Sequence, residues 1–269
     1  MRLQGKVVMI TGASSGIGRE IACQAAAEGA ILVLAARRFE LLLQLASELK
    51  AQYDTATLCI ATDLTNPQDI ERLVAETMAT YGRIDVLVSG AGYGLFKHAT
   101  QFSYSEIQNI FSLNTFAMMY LAQLVAIEMI PQGSGQIVFI ASIAGKIATP
   151  SSSVYSATKF AVIGYANALR LELKPVGIQV TTVNPGPVNT EFFERDATTK
   201  RYYQRVKPFS LRPEYVAKRV VGAMAQPKWR TPREINLPML LNAASKLSTI
   251  FPNVSDYLTA NVFNFKEES

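Results

Sequence analysis

Seven short apolar runs recur along the chain, separated by segments of helical length. Val7–Ile10, Ile31–Ala35, Thr57–Ala61, Val86–Ser89, Gln136–Ile140 and Gln179–Val183 each read as a buried strand, and Ile235–Leu237 as a short last one. These runs are apolar on both faces rather than alternating, as expected of strands covered on each side. Between them, Ile17–Glu28, Phe39–Gln52, Pro67–Tyr81, Ser103–Met129, Val154–Leu173 and Pro213–Ala225 have the length of helices. The alternation predicts one α/β domain: a doubly wound parallel sheet of about seven strands with helices on both faces.

Local signals fix several helix starts. Thr65-Asn66-Pro67 supplies a cap and a proline for the first helical position. Ser103 precedes Glu106 by three residues, the spacing of a capping box. The stretch from Phe111 to Met129 is apolar nearly all round, which fits a core helix against the sheet, a subunit interface, or both.

Composition narrows the class. A hydrophobic content of 49% in 269 residues is ample for one large core. The two cysteines, Cys23 and Cys59, fall in a predicted helix and a predicted strand, and read as core thiols in a reducing compartment. No metal-ligand spacing is present, and the single histidine, His98, lies on a predicted loop. The net charge of +5 is spread without a basic tract, which argues against a nucleic-acid partner. Four apolar residues precede Thr11-Gly12, too few for a signal core, and the run Phe116 to Ile127 falls short of the roughly 20 residues of a spanning helix. The expectation is a soluble cytoplasmic protein without a transmembrane segment.

Two clusters carry chemistry. The first run leads into Thr11-Gly12-Ala13-Ser14-Ser15-Gly16-Ile17-Gly18 and then a helix. Strand, glycine turn, helix is the context of a dinucleotide site. Gly12 permits the turn, Gly16 lets the backbone approach a pyrophosphate, and Gly18 allows close helix packing, while the helix N-terminus offers N–H groups to phosphate. The second strand ends in Ala35-Ala36-Arg37-Arg38. An acidic residue that would accept from a ribose 2′-hydroxyl is replaced here by Ala36, and a guanidinium follows at Arg37, which suits a 2′-phosphate and hence NADP(H).

The second cluster is Ser142 with Tyr155 and Lys159. Tyr and Lys four residues apart project from one helix face. An ammonium beside the phenol is expected to favour phenolate and bring a group of free pKa about 10 toward neutrality.

Taken in order, the turn Thr11–Gly18, Asp63, Asn114, Ser142, Tyr155, Lys159 and Pro185-Gly186 resemble the short-chain dehydrogenase/reductase family of about 250-residue enzymes, over nearly all of residues 5 to 240. The resemblance implies a Rossmann-type domain over residues 1–240, with residues 241–269 as a helical extension packed on it. It implies that Asn114, Ser142, Tyr155 and Lys159 are catalytic. The cofactor contacts it implies are Gly12, Ser14, Ser15, Gly16, Ile17, Gly18, Arg37, Arg38, Asp63, Leu64, Ala91, Gly92, Tyr155, Lys159, Pro185, Gly186, Val188 and Thr190. Asp63 would meet the adenine amino group, and Val188 and Thr190 the nicotinamide carboxamide. Asn114 would hold a water in a proton relay, Ser142 orient the substrate oxygen, Tyr155 exchange the proton, and Lys159 bind the ribose. There is one departure: the family's Asn-Asn-Ala-Gly after the fourth strand is Ser89-Gly90-Ala91-Gly92 here, so two side-chain hydrogen bonds of that loop are lost.

The activity so implied is NADPH-dependent interconversion of a small-molecule carbonyl and alcohol. A 3-oxoacyl-carrier reductase or a hydroxysteroid-type dehydrogenase is the enzymatic alternative, and a non-catalytic NADP(H)-sensing protein the alternative of another class. A homodimer or homotetramer through Ser103–Met129 and Val154–Leu173 is the family's habit. Residues 190 to 210 read as irregular, a lid whose aromatics Phe192, Phe193, Tyr202 and Tyr203 would wall a pocket. Its cations Arg195, Lys200, Arg201, Arg205 and Lys207 read either as a solvated face or as a field for an anionic substrate. Further on, Leu241, Ala244, Leu247, Ile250 and Phe251 mark a helical stripe, with Leu258, Val262 and Phe263 as another after Pro252. Packing on its own protein is the default for this segment, and the terminal acids Glu267 and Glu268 disfavour anionic lipid.

Overall fold

The computed structural model describes residues 1–194 and 196–261, and of these not the side chains of residues 205, 240–244, 255 and 258–261. Arg195, Val262, Phe263, Glu267 and Glu268 therefore lie outside the described residues, as do the side chains of Arg205, Leu241, Ala244 and Leu258.

Each predicted apolar run is a strand: β1 Val7–Thr11, β2 Ile31–Ala36, β3 Thr57–Ala61, β4 Val86–Ser89, β5 Gly135–Ile140, β6 Ile178–Pro185 and β7 Glu234–Leu237. All pairings are parallel, in the order β3-β2-β1-β4-β5-β6-β7. The order reverses between β1 and β4, so loops at the carboxyl ends of these strands part and leave a crevice.

The helices are α1 Gly16–Ala27, α2 Phe39–Tyr53, α3 Pro67–Tyr81, α4 Tyr104–Phe111, α5 Ala117–Gln132, α6 Ser153–Leu173, α7 Ala197–Val206, α8 Pro213–Met224, α9 Met239–Ile250 and α10 Pro252–Asn261. Strand alternation sorts them into two layers. Val8 and Ile10 of β1 join one core with residues of α1, α2 and α8, and Val7 and Met9 join another with residues of α3, α5 and α6.

The predicted caps are present. Asn66 accepts from the Gln68 N–H ahead of Pro67, and Ser103 and Glu106 close a capping box. The predicted helix Ser103–Met129 is interrupted by one π-helical turn, Ser112–Phe116, between α4 and α5. The whole stretch Tyr104–Gln132 is long and apolar enough to cross a membrane, but half of its most apolar window is buried inside the protein. Residues 190 to 210 are more regular than expected: a 3-10 turn at Glu191–Phe193, then α7, then a second turn at Lys207–Phe209.

Candidate active site

The glycine turn after β1 is built as the spacing requires. Gly12 and Gly16 have φ of +70° and +55°, a region that favours glycine. A Cβ on Gly18 would stand 2.3 Å from the Gly12 carbonyl oxygen, so only glycine lets α1 pack this closely. Ser15, at the N-cap of α1, makes no side-chain capping bond. The first-turn N–H groups of α1 thus keep their capacity for a phosphate. From the other side, Thr11 Oγ1 accepts from the N–H groups of Gly90 (3.1 Å) and Ala91 (3.4 Å). This ties the backbone of the β4 loop to the Thr11 side chain at the start of the turn. Gly90 also sits tight, its Cβ position 3.0 Å from the Thr11 carbonyl oxygen.

The turn opens into a cleft of about 1240 Å³ along the carboxyl ends of the strands. Gly12, Ser14, Ser15, Gly16, Ile17, Gly18, Arg37, Arg38, Asp63, Leu64, Ala91, Gly92, Ser142, Tyr155, Lys159, Pro185, Gly186, Val188 and Thr190 all line it. Of the predicted site residues only Asn114 does not. It is fully buried behind the wall, where Nδ2 donates to the Tyr93 carbonyl (2.7 Å) and Oδ1 accepts from the Tyr93 N–H (3.0 Å). Gly92 lies between: a Cβ there would be 3.0 Å from Asn114 Oδ1 and 3.7 Å from Lys159 Nζ.

Arg37 is exposed at the cleft edge, while Arg38 is organised. Its Nη2 donates to Ser15 Oγ (2.7 Å) and Ser14 Oγ (3.2 Å), and its Nη1 to Glu191 at the start of the lid (3.1 Å). Arg38 is therefore the guanidinium that the fold aims at the glycine turn, whereas the sequence pattern points to Arg37. The Asp63 carboxylate accepts from the Thr65 N–H (2.9 Å) and hydroxyl (2.8 Å), which holds it at the cleft wall.

At the far side of the turn, Ser142 ends the strand leading out of β5, and Tyr155 and Lys159 come from α6. All three are nearly buried. Ser142 Oγ accepts from the Ala144 N–H (3.1 Å) and reaches toward the Pro185 carbonyl (3.5 Å), while Lys159 Nζ donates to the Ile140 carbonyl (3.1 Å) and lies 5.8 Å from the centre of the Tyr155 ring. Gly145 brings the two segments together, since a Cβ on it would stand 2.7 Å from the Lys159 backbone.

The electrostatics correct one expectation. Burial pushes the Tyr155 phenol up to about 12, against a smaller lowering from Ser142, and burial brings Lys159 down to about 8. Within the polypeptide, desolvation outweighs the ammonium–phenol attraction, because Lys159 is turned to a carbonyl rather than to the phenol oxygen. Tyr155 is thus set as a proton holder, not as a phenolate.

The lid aromatics wall the space beyond Tyr155. Phe192 meets the Tyr155 ring edge-on at 5.9 Å. Tyr203 instead turns inward, stacked on Phe193 at 4.7 Å, with its hydroxyl on Asn189. The wall also contains Phe96, 5.3 Å from the Tyr155 ring and 4.6 Å from that of Tyr202, which sequence reasoning missed. The only signal for it was an aromatic just after the Gly92-Tyr93-Gly94 loop.

The chain matches the family model for short chain dehydrogenases over residues 6–201. It is 35% identical over 235 residues to an uncharacterized oxidoreductase of Staphylococcus aureus (strain USA300), an alignment covering 87% of this chain and 97% of the relative. Among solved structures it resembles a short-chain dehydrogenase/reductase from Burkholderia phymatum in complex with NAD, with a TM-score of 0.86, 25% identity, and coverage of 94% of this chain and 96% of that one. It also resembles an alcohol dehydrogenase from the archaeon Thermococcus sibiricus complexed with 5-hydroxy-NADP, with a TM-score of 0.79, 25% identity, and coverage of 87% and 96%. With the seven-stranded parallel sheet, the glycine turn and the Ser–Tyr–Lys wall on one cleft, these matches make the chain a member of the short-chain dehydrogenase/reductase family of oxidoreductases.

Proposed function

We propose that this oxidoreductase reduces a carbonyl to an alcohol with NADPH, or runs the reverse oxidation with NADP⁺. The observation that carries the reading is the continuity of one cleft from the glycine turn to Ser142, Tyr155 and Lys159. The residues fit the cofactor: a cradle that a Cβ at Gly18 would fill, uncapped N–H groups at α1, and Arg38 fixed beside Ser14 and Ser15. When bound, the nicotinamide supplies the hydride to the carbonyl carbon.

The rest is the work of this chain. Gly12 to Gly18 and the start of α1 hold the pyrophosphate, Asp63 and Leu64 the adenine, and Arg38 with Arg37 the 2′-phosphate. Pro185, Gly186, Val188 and Thr190 line the nicotinamide side. Ser142 and Tyr155 donate to the carbonyl oxygen, and Tyr155 gives its proton as the alkoxide forms, a contribution of about 10²–10⁴ in rate. Lys159 holds the ribose and keeps positive charge near Tyr155, and Asn114 fixes the Tyr93 loop beside it. NADPH consumption at 340 nm with a panel of ketones and aldehydes tests the reading. The absence of turnover across the panel, with NADPH still bound, would replace it with a cofactor-sensing role.

Two copies pairing through the exposed apolar positions Phe116, Ile127 and Ile130 and, on α6, Phe160 and Leu171 belong to the same proposal, with light scattering of the purified chain as the check. So does a reducing compartment, supported by two free, half-buried thiols whose pKa burial raises. The packing of the extension 241–269 on the domain of residues 1–240 is supported by Leu247 and Val254 reaching the cleft, while the boundary between them falls within α9.

A further inference from the structure

The cleft, about 1240 Å³, runs past the glycine turn and Tyr155 to the lid and the C-terminal helices. Its two halves differ in chemistry. The charged lining residues Arg37, Arg38, Asp63 and Glu191 gather around the glycine turn, with Lys159 beside Tyr155. Beyond Tyr155, none of the described lining residues carries a charge. There Phe96 stacks on Tyr202, Phe192 stands edge-on to the phenol, and Leu247 and Val254 of the C-terminal helices complete the rim.

Described cations of the lid and its surroundings do not line this half: Lys200 pairs with Glu194 (3.1 Å), Lys97 with Glu106 (2.6 Å), and Arg201, Lys207 and Lys246 are exposed and outside the lining. The polar groups that remain are hydroxyls. Ser152, fully buried, donates to the Thr149 carbonyl at 2.6 Å and meets Ser156 Oγ at 3.0 Å. A carboxylate or phosphate bound here would lose its hydration and gain no charged partner among these residues. The rim itself is apolar and partly exposed: Phe209, Leu247 and Val254 are each about half exposed or more.

We propose that this half takes an uncharged ligand, a carbonyl compound or its alcohol, whose reacting carbon carries a long alkyl, aryl or fused-ring group. The reacting oxygen sits at Tyr155 and Ser142, the aromatic collar of Phe96 and Phe192 surrounds the adjoining carbons, and the remainder runs out between the lid and the α9–α10 rim. As a substrate assignment this rests on the reductase reading; as a statement about binding it does not.

The test separates the two. The full chain, with NADP⁺ present, is titrated with the neutral fluorophore N-phenyl-1-naphthylamine, which is then displaced by methyl ketones of about 4 to 12 carbons and by oxo acids of matched length that carry their carboxylate at the far end from the methyl ketone. The expected result is displacement by the ketones with affinity rising about two- to fourfold per added methylene, and at least tenfold weaker displacement by the acids. Phe96→Asp and, at the half-exposed rim where folding is not at stake, Leu247→Glu are expected to weaken the long ketones several-fold more than the short ones. Oxo acids displacing as well as the ketones, or no dependence on chain length, would overturn the proposal. Length-dependent ketone binding without NADPH oxidation would uphold the pocket assignment and remove the reductase reading.

Discussion

Arg38 shares its guanidinium between the glycine turn and the lid: it donates to Ser14 and Ser15 on one side and to Glu191, at 3.1 Å, on the other. A 2′-phosphate bound at this guanidinium competes with a carboxylate already there. Because the Arg38–Glu191 pair is exposed, its own worth is small. Glu191→Gln is therefore expected to tighten NADPH by up to about fivefold and leave NADH unchanged, as measured by fluorescence titration. Arg38→Ala is expected to weaken NADPH by about 10-fold or more, the worth of a charged hydrogen bond, with Arg37→Asp acting in the same direction. Unchanged NADPH affinity in Arg38→Ala would remove Arg38 from the 2′-phosphate.

Gly145 sets the distance between Ser142 and α6. A methyl group there meets the Lys159 backbone at 2.7 Å, and neither segment can yield without moving a side chain of the site. Gly145→Ala is expected to cost about 1–3 kcal/mol, visible as a fall of several degrees in Tm, and to lower kcat more than it weakens NADPH. A variant with parental Tm and kcat would show that the close approach is not needed.

Lys159 gives a pH signature. Its pKa is lowered by burial to about 8, so the folded chain loses this charge between about 8 and the ordinary lysine value, where an unfolded chain would keep it. Over that window the unfolded state binds more protons, and the Lys159 contribution makes stability rise with pH. NADPH affinity runs the opposite way. It is expected to hold up to about pH 8 and fall above, as the ammonium that meets the ribose disappears. Titration of NADPH from pH 6.5 to 10 checks this, and Lys159→Met should show no such fall. Tyr155, pushed up to about 12, stays protonated throughout the range.

Much of this architecture was legible in the sequence because its signals are local. The strands announced themselves as runs apolar on both faces, and Asn66 and Ser103 capped the helices where expected. The turn from Gly12 to Gly18 and the four-residue step from Tyr155 to Lys159 carry their geometry in their spacing. What escaped was set by tertiary contact. Helix α7 is polar on most positions, and its start signal, Asp196 accepting from Thr199, was passed over in a segment read as irregular. The π-turn at Ser112–Phe116 leaves hydrophobic periodicity intact and so leaves no trace in it. Glu191, Gly145 and Phe96 matter through Arg38, Lys159 and Tyr155, partners distant in the chain. The phenol's pKa went the other way from expectation because spacing reports which groups share a face and not how dry that face is.

Asn114 is a positioning residue by its bonds. It donates to the Tyr93 carbonyl, accepts from the Tyr93 N–H and also donates to Thr158 (3.3 Å). Asn114→Leu removes these three bonds and is expected to cost about 1–3 kcal/mol. Asn114→Asp keeps an acceptor for the N–H and should retain more of the stability. Equal loss in the two variants would mean that volume, not hydrogen bonding, holds the loop.

The central claim is that Tyr155 delivers the proton to the carbonyl oxygen within the cleft that holds NADPH. Replacing Tyr155 by Phe removes one oxygen and little volume. Single-turnover oxidation of bound NADPH by the best ketone of the panel is the direct measurement. The account predicts a rate lower by about 10²–10⁴, with NADPH affinity within a few-fold of the parent. A rate within tenfold of the parent would contradict it.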